Sequence, residues 1–229
     1  MKTITNPQLI QRNKKIGQVT IIFSLIVLAI GLYLSFSEQN MNLSLIALLV
    51  GIVTSQIGMY YSSRWSRSPR PDEQINQALK GLDDKYSLYH YRTVTSHLLV
   101  GPAGVWVLLP YYQSGTITYN EDKSRWVQKG TNVFMRIFAQ EGLGRPDVDV
   151  NSNVADVQKY IQKILPEQID LPVRAALVFT SPKVNVKAPE ASSPTVTLDK
   201  LKDLIRRKAK EEPANEENIR ILQKALPES

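Results

Sequence analysis

The chain has 229 residues, enough for one ordinary domain and a membrane anchor. It contains no cysteine, which excludes disulfide bonds, thiolate metal sites and thiol nucleophiles. Because there are only two histidines, His90 and His97, a multi-histidine metal centre is not expected, and we expect neither a metal nor another cofactor.

The formal net charge of +7 is unevenly distributed. Residues 1–70 contain one acidic residue, Glu38, and seven cations: Lys2, Arg12, Lys14, Lys15, Arg64, Arg67 and Arg70. Taking these from the totals of 28 basic and 21 acidic side chains leaves 21 and 20 for residues 71–229. That part is nearly neutral, so nucleic acid, whose binding relies on clustered cations, is a weakly supported partner.

The first feature in chain order is a pair of apolar stretches, at about residues 16–36 and 43–61. Each approaches the ~20 residues that a helix needs to cross a ~30 Å hydrocarbon core. Backbone polar groups in lipid must be bonded within the segment, so both stretches are predicted to be helices of a transmembrane hairpin. The lipid bilayer is therefore the first expected partner.

The placement of cations predicts the topology. Basic residues flank both ends of the hairpin, whereas the connecting residues 37–42 contain none, so both termini are expected in the cytoplasm. We expect a two-pass integral protein of a prokaryotic cell membrane. Its parts would be a cytoplasmic N-terminal segment (1–15), the hairpin (16–61), a juxtamembrane linker (62–71) and a cytoplasmic α/β domain with C-terminal helices (72–229).

Two sets of hairpin residues are candidates for specific contacts. Aromatic and arginine side chains at the end of the second span are predicted to lie at the membrane interface; they are Tyr60, Tyr61, Arg64, Trp65, Arg67 and Arg70. Small or hydroxylated residues are predicted to pack against the other helix or a partner; they are Gly51, Thr54, Ser55 and Gly58.

The remaining sequence alternates between strand and helix patterns. The predicted helices cover about residues 73–82, 131–143, 153–165, 199–210 and 214–226. The predicted strands cover about residues 86–92, 105–109, 115–119, 126–127, 173–180 and 195–198, with extended chain at 93–100, a turn at 101–104 and loops at 146–150 and 181–194. This order predicts an α/β fold: a mixed β-sheet with flanking helices.

The order of elements and one motif together resemble the nuclease-related domain (NERD) family. Residues 96–108 read Ser-His-Leu-Leu-Val-Gly-Pro-Ala-Gly-Val-Trp-Val-Leu, after Asp72-Glu73 at the start of a helix and before Ser114-Gly115. The family typically has Asp-His, hydrophobic residues, Gly-Pro-x-Gly, more hydrophobic residues, then Glu-x-Lys. The resemblance covers about residues 70–208 and implies a restriction-endonuclease-like fold, with the helix at 153–165 and the strand at 173–180 as later family elements.

The departures from the motif bear on activity. The family's acidic residue before the histidine is Ser96 here, and its glutamate and lysine fall on Leu109 and Tyr111. Nucleases of this class need carboxylates to hold a divalent cation and a lysine to assist the attacking water. Only Glu73 is kept, so the resemblance implies a degenerate site and we expect no nuclease activity.

Two interpretations are open for each of several other residues. His97 is either a general base or a structural histidine, and the second is the commoner role in an apolar stretch. Aromatic side chains at Trp106, Tyr111, Tyr112, Tyr119 and Trp126 form a partner surface or, more often, pack inside the domain.

We therefore expect a membrane-anchored, catalytically inactive nuclease-like domain that acts as an interaction or scaffold module or as an accessory subunit of a membrane assembly. The expected partners are other membrane subunits or a second copy of the chain. The alternative is a membrane-tethered, metal-dependent nucleic-acid-processing enzyme in which Glu73 acts with Asp147 or Asp149. A third reading makes the hairpin the functional part, through the face formed by residues 54–58.

Overall fold

The computed structural model describes residues 1–36, 40–130, 142–166, 169 and 171–227. Within them the chain is a mixed α/β protein with six helices and two β-sheets. It divides into two compact units, one formed by Pro7–Arg70 and the other by Met1–Asn6 together with Pro71–Ser229. The helical hairpin is thus an insertion between the first strand and the remainder of the second unit.

The first unit is a pair of long apolar helices, α1 (Pro7–Leu34) and α2 (Met41–Trp65). Both are long and apolar enough to cross a membrane, and only 17% of the apolar 18-residue stretch of each helix is buried. Large side chains such as Ile26 and Leu49 face outward instead of into a protein core. The predicted connection at residues 37–42 lies partly outside the described residues.

Small residues form the contact between the two helices. They recur every seven residues and are buried: Gly17, Ser24 and Gly31 on α1, and Ser44, Gly51 and Gly58 on α2. A Cβ atom added at Gly51 would lie 2.6 Å from Cγ of Leu28, so the helices approach too closely for a side chain there. The Ser44 hydroxyl donates a 2.7 Å hydrogen bond to the carbonyl of Gly31 across the interface. Small residues permit this close approach in helix pairs of membrane proteins.

The second unit is built on a six-stranded mixed sheet. Its strands are β1 (Lys2–Thr5), β2 (Ser87–His90), β3 (His97–Gly101), β4 (Gly104–Tyr111), β7 (Val173–Phe179) and β9 (Thr195–Thr197), in that spatial order. Strand β3 is antiparallel to β2 and β4, and the other pairs are parallel. All strands except β3 therefore end at one side, which we call the carboxyl edge.

The N-terminal residues belong to this sheet. Strand β1 pairs in parallel with β2, with Thr3 opposite Leu88, and Ile4 is only 5% exposed. Residues 1–15, predicted as one segment, are therefore divided: the first five join the sheet, and those from Pro7 onward open α1. A four-residue strand with lysine and threonine has little signal of its own, because its conformation is set by the distant partner strand.

A second, smaller sheet contains β5 (Gly115–Asn120), β6 (Arg125–Lys129) and β8 (Val184–Lys187), in the order β6-β5-β8. Strand β8 lies within residues 181–194, so the prediction of loop throughout that segment was wrong there. Parallel pairing with β5 places Val186 opposite Ile117 and packs it against the core, which holds this proline-flanked stretch extended.

Four helices cover the large sheet: α3 (Pro71–Ala78), α4 (Pro146–Ile164), α5 (Leu198–Glu211) and α6 (Glu216–Ala225). Alternate strand residues feed two separate cores. Leu98, Val107 and Leu177 pack with α4 and α6, whereas Leu99, Trp106 and Leu108 pack with α3 and α5. The helices thus lie on opposite faces in pairs.

The start of α4 was predicted wrongly. The loop expected at residues 146–150 is helical, because Pro146 occupies the first turn, where its missing N–H has no cost, and Asp147 and Asp149 oppose the helix dipole. The helix predicted at 131–143 falls outside the described residues, except for 142–143, which are not helical.

Candidate functional site

Three of the four positions implied by the family motif lie together at the carboxyl edge. Leu109 and Tyr111 are two residues apart on β4 and both pack against the core that contains α4. Ser96 comes one residue before β3, and because β3 runs opposite to β4, it too lies at this edge. Leu109 and Tyr111 belong to one face of the sheet, whereas Ser96 lies outside the strands.

Glu73 is carried by a different layer. It lies in the first turn of α3, whose Ile75 and Leu79 pack into the core on the opposite face from α4. Asp147 and Asp149, the acids that would replace the missing ligands, lie in the first turn of α4. The sheet thus separates the helix that carries Glu73 from the helix that carries these two carboxylates.

Tyr111 stands where the family has its lysine, and its surroundings are those of a core residue. The side chain is 8% exposed, and its ring lies 5.6 Å from the ring of Phe179. Its hydroxyl donates a 2.6 Å hydrogen bond to Oδ2 of Asp149. This bond joins the end of β4 to the first turn of α4, where a carboxylate is also favoured by the helix dipole.

Asp147 has a comparable contact. Its Oδ2 accepts a 2.9 Å hydrogen bond from Nε1 of Trp126, on strand β6 of the small sheet. The Trp126 ring in turn packs edge-on against Tyr119 at 5.2 Å. Both acids thus hold neighbouring elements to α4. Among the described residues, no three histidine, aspartate or glutamate side chains are grouped so that they could hold a metal ion.

The two histidines form a buried pair. They lie opposite each other on β2 and β3, and Nδ1 of His90 is 2.7 Å from Nδ1 of His97. The His97 ring also lies 5.1 Å from that of Tyr91, a residue with a positive φ of 59°. A hydrogen bond between two imidazoles requires one to donate and the other to accept, which fits the structural reading of His97.

The predicted interface residues lie at the end of α2. The Arg64 guanidinium lies 4.6 Å from the centre of the Tyr60 ring, and Tyr60 and Tyr61 pack edge-to-face at 5.7 Å. Arg67 is exposed, whereas Trp65 and Arg70 are half-buried. A cation over an aromatic ring is an arrangement that suits the boundary between lipid and water.

The four predicted helix-packing residues behave in two ways. Gly51 and Gly58 contact α1 closely, as proposed for small residues. The hydroxyls of Thr54 and Ser55 instead bond to carbonyls of their own helix, at 2.8 Å to Val50 and 2.7 Å to Ile52. The contacts of Gly17, Ser24 and Ser44 were missed, although their seven-residue spacing was present in the sequence as a signal.

A cavity of about 520 Å³ opens at the carboxyl edge beyond β7 and β9. The loop after β7, strand β8 and the first turn of α5 line it, with Thr180, Asn185, Thr197 and Lys200 among the polar contributors. Its hydroxyls are partly used: Oγ1 of Thr180 donates to the Tyr111 carbonyl at 3.3 Å. The sequence held no motif for this cavity.

Comparison with known proteins found no matching family model, no matching curated protein and no matching solved structure. The resemblance to the nuclease-related domain family therefore rests on the motif and on the order of elements.

Proposed function

We propose that this chain is a membrane-anchored nuclease-like domain without catalytic activity, which serves as an interaction or scaffold module in a membrane assembly. The observation that carries the proposal is the hydrogen bond from Tyr111 to Asp149. At the position where the family has its catalytic lysine, this chain has a tyrosine that packs in the core. The hydroxyl of this tyrosine binds Asp149, one of the two acids that would have to replace the lost metal ligands.

The order of elements supports a restriction-endonuclease-like domain. Helix α3 is followed by the antiparallel strands β2, β3 and β4, then by α4 and by β7, which is parallel to β4. This is the order of helix, antiparallel strands, helix and strand on which the resemblance rests. The second sheet, formed by β5, β6 and β8, is an addition to that order.

The outward-facing apolar surface of α1 and α2 supports membrane anchoring. In water, a helix pair that exposes Ile26, Leu32, Leu49 and Val53 would aggregate, whereas in lipid the same surface is matched by acyl chains. Cations precede the first apolar stretch and follow the second, and they are missing from residues 37–42, which supports a cytoplasmic location for both termini.

The pairing of β1 with β2 supports two crossings in particular. Lys2–Thr5 and Ser87–His90 are adjacent strands of one sheet, although the whole hairpin lies between them in the chain. A chain that leaves a domain, enters the bilayer and returns to the same domain must cross an even number of times.

A cleavage assay on the intact protein tests the inactive-domain proposal. We expect the full chain, purified in mild detergent, to leave DNA and RNA uncut in Mg²⁺ or Mn²⁺. Cleavage that is lost in Glu73→Ala but kept in Gln77→Ala would contradict the proposal and favour the tethered enzyme. Gln77 is a suitable control because it is exposed on the same helix. A contaminating nuclease would not respond to either substitution.

The site of assembly is tested separately. If partners bind the soluble unit, co-purification in detergent is lost when residues 71–229 are removed. Binding that persists with the hairpin alone would instead assign the interaction to α1 and α2, as in the reading that places function at residues 54–58.

A further inference from the structure

Exposed cations are concentrated at one end of the helical hairpin. Three of them lie on α1 and one lies on α2: Arg12, Lys14, Lys15 and Arg64. We call these four residues the cationic belt. All four belong to the first compact unit, the pair of helices within Pro7–Arg70.

The packing of the two helices places the belt at one level along the hairpin. A Cβ atom added at Gly17 would lie 3.0 Å from the Cβ atom of Tyr61, so these two residues face each other across the interface. The helices are antiparallel, because later residues of α1 contact earlier residues of α2. Lys14 precedes Gly17 by three residues and Arg64 follows Tyr61 by three, which is about 4.5 Å along the axis in each case. The cations of the two helices therefore lie at similar depth.

This level is just outside the apolar surface of the hairpin. Among the described residues of the first unit, exposed large apolar side chains begin at Ile16 on α1 and end at Tyr60 on α2. The belt residues lie one to four positions beyond these limits, or about 1.5–6 Å at 1.5 Å per residue. The headgroup layer extends about 5–8 Å beyond each side of the hydrocarbon core. In a hairpin that spans the bilayer, the belt is thus at the depth of the lipid phosphates.

The belt has no acidic partner in the described part of the chain, where none of the ion pairs involves any of its four residues. Residues 7–70 contain a single acid, Glu38, which stands between the two helices in the sequence. The Arg64 guanidinium lies 4.6 Å from the centre of the Tyr60 ring, and an arginine stacked in this way can still donate hydrogen bonds in its own plane. The positive charge of the belt is therefore open to an external anion.

We propose that the cationic belt binds the phosphate groups of anionic phospholipids and so concentrates these lipids around its end of the hairpin. The inference rests on the membrane anchoring proposed above. Anionic headgroups attract lysine and arginine side chains at the membrane surface, and arginine can also bond to phosphate through two N–H groups. A zwitterionic headgroup carries a compensating cation beside its phosphate, so the belt should prefer lipids with a net negative charge.

Quenching by labelled lipids tests this proposal in the full chain. Because the protein has no cysteine, Ser63→Cys can carry a small uncharged dye next to Arg64. The protein is placed in phosphatidylcholine vesicles that contain a trace of phosphatidylglycerol or of phosphatidylcholine, each with a nitroxide on the acyl chain close to the headgroup. Asn42→Cys is the matched control, since it is exposed at the start of α2, at the opposite end of that helix from the belt.

We expect labelled phosphatidylglycerol to quench the dye at residue 63 several-fold more than labelled phosphatidylcholine, and the two lipids to quench equally at residue 42. The excess should fall in the double variant Lys14→Gln/Lys15→Gln. It should also fall without any substitution when salt is raised from about 50 mM to about 500 mM, because salt screens exposed charges. Lys183→Gln/Lys187→Gln removes two exposed charges from the second unit and should keep the excess.

Clear but equal quenching by the two lipids at residue 63 would overturn the lipid proposal and leave the anchor intact. An equal fall in both double variants would also overturn it, because the preference would then follow the net charge of the protein. No quenching by either lipid at residues 63 and 42 would overturn the membrane anchoring as well.

Discussion

The Tyr111 hydroxyl and Oδ2 of Asp149 are 2.6 Å apart, although 38 residues separate them in the chain. This contact ties the last residue of β4 to the first turn of α4, at the position where the proposed resemblance expects a lysine. Two elements of the carboxyl edge are thereby held by a tyrosine that packs in the core, so Tyr111 has a structural role of its own.

Removing this hydroxyl is expected to lower stability. Tyr111→Phe should reduce the free energy of unfolding by about 1 kcal/mol, since the partly exposed carboxylate regains water when its partner is lost. A double-mutant cycle with Asp149→Ala, measured by denaturant unfolding, should show coupling of similar size. Tyr119→Phe is the control because it keeps its ring on Trp126; additive effects of the Tyr111 and Asp149 changes would contradict the contact.

The hairpin contact predicts an effect of a single methyl group. A Cβ atom at Gly58 would lie 2.7 Å from Cγ1 and 3.0 Å from the backbone nitrogen of Ile21. Gly58→Ala should therefore weaken helix packing by about 1–3 kcal/mol, a typical cost of overpacking.

Pyrene excimer fluorescence can follow this packing during a titration with dodecyl sulfate. Labels on Val19→Cys and Met59→Cys, both exposed, report separation of the helices. The midpoint should fall in Gly58→Ala and stay unchanged in Ile57→Ala, whose side chain faces outward. Equal midpoints for the glycine variant and the parent would show that the helices do not pack along this stripe.

The N-terminal strand predicts a stability effect at a distance from the hairpin. Ile4 is buried in the core that contains Tyr89 and Leu98, so Ile4→Ala should destabilise the second unit by about 2–5 kcal/mol. Thermal unfolding followed through the buried Trp106 measures this. Ile22→Ala, an identical change on the outer surface of α1, should leave the transition nearly unchanged. If both variants melt like the parent, β1 is not part of the sheet.

One exposed ion pair predicts a pH dependence. The hydrogen bond from Lys85, with Nζ 2.7 Å from Oε1 of Glu216, lowers the pKa of Glu216 below its ordinary 4.5. A carboxyl with a lowered pKa contributes stability above its unfolded pKa and loses that contribution as pH falls through the folded pKa. The Tm difference between the parent and Glu216→Gln should therefore be present at pH 6 and shrink as the pH falls below 4.5. A difference that is constant over this range would exclude the pair as its source.

The sequence predicts the parts of the fold whose signal is local. The apolar run at 173–180, the Gly-Pro-Ala-Gly turn and the two membrane-length stretches each carry their own pattern, and each has a counterpart in β7, the β3–β4 turn and the two long helices. The features that were missed depend on partners elsewhere in the chain. Lys2–Thr5 is extended because Ser87–His90 bonds to it, and Val184–Lys187 because β5 does.

In the candidate site, too, the residues with a local sequence signal were predicted and their partners elsewhere in the chain were not. Motif comparison locates Ser96, Leu109 and Tyr111, and strand alternation alone places the last two on one face. The partners of Tyr111 and Trp126 were not predicted, because Asp149 and Asp147 were assigned to a loop instead of the first turn of α4.

The central claim is that residues 1–6 and 71–229 form one domain from which the hairpin crosses the membrane twice. The most direct measurement is labelling of single cysteines in intact cells with a membrane-impermeant maleimide, at the exposed positions Gln8, Asn42 and Ser192. The account predicts that Asn42→Cys is labelled in intact cells, and that Gln8→Cys and Ser192→Cys are labelled only after the membrane is opened. Labelling of Gln8 and Ser192 from opposite sides, or of all three from the same side, would contradict it.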